Sequence, residues 1–134
     1  MLKNIAFILY AITALISFAF GLIYLFRDRF LPYHSVAVEK SWDQLDSKIQ
    51  ILILALLKVC GGGMLCNALA ISTLLIFSFH SQWANFALLV IGLSETIPTF
   101  IATMIVKHGT KASPPWLITL ITIILIIIAF ILAI

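Results

Sequence analysis

Four long apolar segments, separated by polar stretches, set the pattern of the chain: residues 5–26, 49–79, 83–106 and 114–134. A helix of about 20 residues crosses a ~30 Å hydrocarbon core, and each segment reaches that length. Backbone polar groups in hydrocarbon must find partners within their own segment, so each segment is predicted to be helical. The expected fold is all-α, a single domain over 1–134 forming a polytopic bundle of four transmembrane helices. The first segment is longer than a signal-peptide core and no small-x-small cleavage site follows it, so it is expected to stay as the first helix.

The breaks between segments carry their own signals. Arg27–Lys48 is polar and holds most of the charge. Pro32 prevents a continuous helix there, and Ser41 followed by Gln44 fits a capping box, placing a helix start near Trp42. Tyr33 and Trp42 suit the headgroup layer. Residues 49–79 would extend ~46 Å as a helix, more than one membrane thickness, so tilt, an interfacial first turn or a bend at Gly61–Gly63 is expected. His80, Ser81 and Gln82 make a short turn, so the second and third segments form an antiparallel hairpin. In the third, Pro98 removes a bond to the Ser94 carbonyl and predicts a kink. Ser113-Pro114 reads as an N-cap and first helical position. The fourth is nearly all Ile, Leu and Ala apart from Thr119 and Thr122, and is expected to face lipid most.

Composition agrees with the pattern. Of 134 residues, 63% are hydrophobic and 10% charged, with mean hydropathy +1.22. A soluble domain carries roughly 45–50% apolar and about 25% charged residues, which excludes that class. A net charge of +3, without a basic stripe interleaved with aromatics, suits membrane lipids as partners and argues against nucleic acid. Arg27, Arg29, Lys40, Lys48, Lys107 and Lys111 share one side, so loops 27–48 and 107–113 are expected in the cytoplasm and both termini outside. Cys60 and Cys66 lie ~9 Å apart along one helix, too far for a disulfide, which needs Cα atoms within about 7 Å. They are expected to be small buried hydrophobes.

Candidate chemistry lies in the polar residues inside apolar segments. Glu95 sits near the middle of the third segment, with Thr99 and Thr103 on its face. An unpaired ionised carboxylate there costs at least about 2.5–3.5 kcal/mol, so Glu95 is expected to face the bundle. It is read either as a buried acid hydrogen-bonded to Asn67, Ser or Thr, or as a proton carrier, general acid or cation ligand. Counting residues outward from the turn puts Glu95 level with Cys66 and Asn67. Lys58 falls level with Thr103, ~12 Å nearer the charged loops, so a direct Lys58–Glu95 pair is not expected. Lys58 is read as snorkelling to the loop side, or as anchoring an anionic group at a cavity mouth framed by Arg27, Arg29 and His34. Gly61, Gly62 and Gly63 are read as a close-packing face against a neighbouring helix. On the first segment, Tyr10, Thr13, Ser17, Gly21 and Tyr24 form a weakly polar stripe suited to packing or to lining a ligand cavity. The histidines do not converge, so no metal is expected, and no cofactor.

A first helix ending G-L-I-Y-L-F-R, a polar loop, and a second helix reading A-L-L-K-V-C-G-G-G-M-L resemble the small DoxX-like four-helix membrane proteins of bacteria. The motif part covers only about residues 21–65. The resemblance implies a location in the bacterial inner membrane and little chemistry, since no redox-active residue set is present. Small multidrug-resistance transporters are similar in size but carry their key glutamate in the first helix, which here has no acid. The sterol-isomerase-like group pairs membrane acids with a histidine, and no histidine lies at the depth of Glu95. No catalytic set is recognisable. The expectation is therefore a non-enzymatic protein that binds a lipid or lipophilic ligand, or packs with a membrane-protein partner or a second copy of itself. A proton-coupled transporter of a small amphiphile using Glu95 is the alternative. An intramembrane lipid-modifying enzyme, with Glu95 as acid/base and His34 near the headgroup, is the third reading.

Overall fold

A computed structural model describes all residues, 1–134. The chain is all-α, with helices α1 (Leu2–Phe26), α2 (Pro32–Val38), α3 (Ser47–Phe77), α4 (Gln82–Gly109) and α5 (Trp116–Ala133). All but α2 are long and apolar enough to cross a membrane, the layout of a multi-pass membrane protein. The four long helices stand in a ring, with α1 beside α3 and α5, and α4 beside α5 and α3.

Helix α1 packs most extensively, chiefly against α3. A third of its most apolar stretch is buried, against 22% for α5 and 11% for each of α3 and α4. Its buried face is Ala6, Tyr10, Thr13, Ala14, Ser17 and Gly21, the small and weakly polar stripe. The expectation that the fourth segment faces lipid most is corrected, because α3 and α4 expose more. Thr122, Ile126, Ala129 and Ala133 sink one face of α5 against α1 and α4. Meanwhile α3 and α4, although joined by the turn at residues 78–81, touch least of the four neighbouring pairs.

Of the three consecutive glycines only Gly61 makes the close contact. A Cβ there would lie 2.6 Å from the Leu25 backbone nitrogen and 2.8 Å from the Gly21 carbonyl oxygen. Nothing lies within 4 Å of a Cβ at Gly62 or Gly63, so their assignment to the packing face is corrected. Consecutive helical residues turn by ~100°, and only one of three can meet a single neighbour. The same rotation turns Cys60 and Cys66 outward: both are free and exposed rather than buried.

The ends of the helices also differ from expectation. Pro32 starts a helix rather than only breaking one, since a ring-fixed φ suits the first turn. The Ser41 amide donates to Gln44 Oε1 at 2.8 Å, but this caps a single 3₁₀ turn, Trp42–Gln44. The long helix begins at Ser47, where Asp46 Oδ1 accepts from the Lys48 amide at 2.9 Å. Helix α5 begins at Trp116 rather than Pro114, with Pro115 at the cap. Helix α4 runs through Pro98.

The two classes of glycine make opposite predictions. Gly61→Ala puts a methyl against backbone that cannot step aside and is expected to cost about 1–3 kcal/mol, the range of overpacked cores. Gly63→Ala is expected to be neutral or stabilising by up to about 1 kcal/mol. Unfolding midpoints in mixed micelles with rising denaturing detergent measure both, and equal midpoints for the two variants would contradict the crossing described above.

Candidate functional site

The polar residues of the apolar segments converge on Glu95. Its Oε2 accepts a hydrogen bond from Ser17 Oγ at 2.7 Å and one from Asn67 Nδ2 at 2.5 Å. One donor comes from α1 and the other from α3, so the carboxyl of α4 ties three helices together. Glu95 thus lies at the level that residue counting predicts, beside Asn67. Both donors are neutral, and both residues are buried, Ser17 at 5% exposure and Asn67 at 8%. Glu95 Oε1 has no protein partner and is not sealed in.

Glu95 borders an inner cavity of about 40 Å³ at the centre of the bundle. A cavity needs only ~10–15 Å³ of such volume to hold one water. Ser17 and Tyr24 border it from α1, Met64 from α3, Thr99 and Thr103 from α4, and Thr119 and Thr122 from α5. Toward the loops a second, larger chamber of about 440 Å³ opens between α3 and α4. Tyr24, Met64, Thr99 and Thr103 border both, so the two adjoin at these side chains. The outer chamber is chiefly apolar, and α2 closes its loop end with Tyr33, His34, Ala37 and Val38. Leu56, Cys60 and Ala102, on its rim, are exposed, so the chamber opens sideways between α3 and α4, where the bilayer would lie.

The remaining predicted residues divide. Lys58 snorkels toward the loops. Its Nζ donates to the Leu25 carbonyl and, at 2.6 Å, to the Arg27 carbonyl. A lysine at the C-terminal end of α1 satisfies orphan carbonyls and opposes the negative end of the helix dipole. Lys58 is thereby committed to α1 and does not border the chamber; the reading of it as an anchor for an anionic group loses its basis. Arg27 is half-buried and Arg29 exposed, and neither borders the chamber. His34 does. Thr96, Thr119, Thr122 and Met64 join the site without having been singled out for it. The signal for Thr119 and Thr122 was present, as the only polar side chains in an otherwise aliphatic helix.

The lid has internal order. Tyr24 and Tyr33 hydroxyls share a hydrogen bond of 2.7 Å. Burial, together with that bond, holds the Tyr33 phenol well above its ordinary 10.0. Buried Phe30 meets Trp42 and His34 edge-on, with ring centres 5.1 and 6.0 Å away. His34 Nδ1 accepts the Leu31 amide at 3.1 Å, closing the first turn of α2. Comparison of the chain with protein-family models, with curated proteins and with solved structures finds no match.

The His34 bond makes the lid pH-sensitive. Burial first, and the Arg27 charge second, hold its imidazole below the ordinary 6.5. The folded lid therefore prefers neutral His34, with Nδ1 free to accept, while the unfolded segment takes up a proton near ~6.5. Stability linked to this group is complete above ~6.5 and is lost as pH falls through the lower folded value. Hydrogen exchange of residues 32–38, corrected for intrinsic rates, is expected to lose protection as pH falls below ~6.5, and His34→Ala to remove that pH dependence. Protection that stays constant in the unaltered protein would contradict it.

Proposed function

We propose that the protein binds a lipophilic molecule taken laterally from the bilayer, with its body in the chamber between α3 and α4 and its polar end toward Glu95. The observation that carries this reading is an apolar chamber that adjoins, at Tyr24, Met64, Thr99 and Thr103, a cavity bordered by an unpartnered carboxyl oxygen. The outer volume falls within the ~300–1,000 Å³ typical of small-ligand sites, which are apolar with a few placed polar groups. The excess of Lys and Arg on loops 27–48 and 107–113 supports a cytoplasmic lid. The DoxX-like resemblance supports the bacterial inner membrane as the location. His34 and Glu95 border different chambers, which favours binding over acid–base chemistry between them.

A second reading, proton-coupled transport of the same ligand, is favoured by the room for water beside Glu95. Glu95→Gln is then expected to abolish pH-driven uptake into proteoliposomes, and unchanged uptake removes Glu95 from that role. Binding itself is tested with an alkyl probe bearing a diazirine, photolysed with the protein in nanodiscs and mapped by mass spectrometry. Label is expected to concentrate on Cys60, Met64 and Ala102, and at Cys60 and Met64 to fall at least fivefold in Ala102→Trp, whose ring intrudes on the chamber. Label spread evenly over lipid-facing Val59, Ile76 and Phe86, and indifferent to Ala102→Trp, would overturn the proposal.

A further inference from the structure

The inner cavity has an unusual hydrogen-bonding polarity. Six residues that border it carry aliphatic hydroxyls, and every hydroxyl proton is already committed. Ser17 donates to Glu95, and the threonines donate to carbonyls of their own helices: Thr96 to Gly92, Thr99 to Glu95, Thr103 to Phe100, Thr119 to Trp116 and Thr122 to Ile118. A hydroxyl that has donated keeps only acceptor lone pairs, and a carboxylate is acceptor-only. The single proton left free belongs to the Tyr24–Tyr33 pair, at the junction with the outer chamber. The deep end therefore asks for a guest that donates hydrogen bonds and offers it nothing to accept.

Charge narrows the class. Glu95 has two neutral partners, and Lys58 is held by the carbonyls of Leu25 and Arg27. An ionised carboxyl at this depth calls for a cation that the protein does not provide. Size is compatible with a small polar group, since at ~10–15 Å³ for each water the cavity of about 40 Å³ has room for about three. A primary ammonium combines these properties: three N–H donors, a positive charge and the bulk of a water molecule.

We infer that the ligand is a lipophilic primary amine, with its ammonium in the inner cavity on Glu95 Oε1 and its hydrocarbon in the outer chamber. This rests on the binding proposed above and specifies its chemistry. An alcohol offers one donor and no charge, a carboxylate repels Glu95, and a trimethylammonium has no N–H to donate.

The test is competition for the diazirine probe at Cys60 and Met64 in nanodiscs of zwitterionic lipid, using decylamine, decanol, decanoate and decyltrimethylammonium. Occupancies are normalised to each compound's partition into empty nanodiscs. Decylamine is expected to compete at least tenfold better than decanol, with the other two weaker still. In Glu95→Gln the advantage of the amine is expected to vanish while decanol is unchanged. The headgroup series in the unaltered protein stands by itself should that variant fail to fold. Equal competition by amine and alcohol, or an amine preference that survives Glu95→Gln, overturns the amine assignment and leaves lipophile binding intact, with water as the occupant of the inner cavity. Failure of all four compounds, with probe label indifferent to Ala102→Trp, overturns both.

Discussion

The approach of α1 to α3 at Gly61 is the contact on which the other features depend. With a Cβ position only 2.6 Å from the Leu25 nitrogen, the two backbones meet with no side chain between them. Hydrophobicity does not drive this association, because lipid tails are as apolar as the helix surfaces; close van der Waals contact and interhelical hydrogen bonds do. The consequences run in both directions along the helices. Three residues before Gly61, Lys58 comes within reach of the carbonyls ending α1. Six residues after it, Asn67 comes alongside Ser17, so that one carboxyl oxygen on α4 can accept a hydrogen bond from each.

That shared acceptor explains why the bundle is open where it is. Helix α4 is tied to the α1–α3 pair at the depth of Glu95 and leans on α5 through Gly92, where a Cβ would lie 2.9 Å from Ile126 Cδ1. Toward the loops nothing comparable joins α3 to α4, and the space between them is the outer chamber. The lid compensates at the mouth, where Tyr33 bonds Tyr24 of α1 and Phe30 packs between His34 and Trp42. The chamber therefore follows from the placement of the ties, one deep and one at the surface.

Much of this was legible in the sequence because two rules act with little competition in lipid. Hydropathy places the spanning segments, since unsatisfied backbone in hydrocarbon is so costly. Residue counting along a hairpin places side chains by depth, which paired Glu95 with Asn67 and separated it from Lys58. Rotation about the helix axis was less legible. The three glycines read as one face, yet only Gly61 points at α1, and the cysteines flanking them point outward. The lid was missed because its helix is only seven residues long, and its first turn is closed by the imidazole of His34 rather than by a recognisable cap. Which helix pairs diverge depends on packing among all four, and no local pattern encodes it.

The deep polar end matters more here than it would in a soluble protein. A lipophile leaving water for an apolar pocket gains about 25 cal/mol for each Å² buried. A lipophile leaving the bilayer for the same pocket gains almost nothing from that source, because its surroundings were already hydrocarbon. Discrimination must then come from shape and from the few polar contacts that lipid cannot offer. In this chain those contacts are Glu95 Oε1 and the lone pairs of hydroxyls already turned to their own helices. A carboxyl held by two neutral donors, short of a counter-charge and bordering a cavity with room for water, is a place where the interior differs chemically from the membrane around it. On the proposed reading, selectivity comes from that end of the chamber.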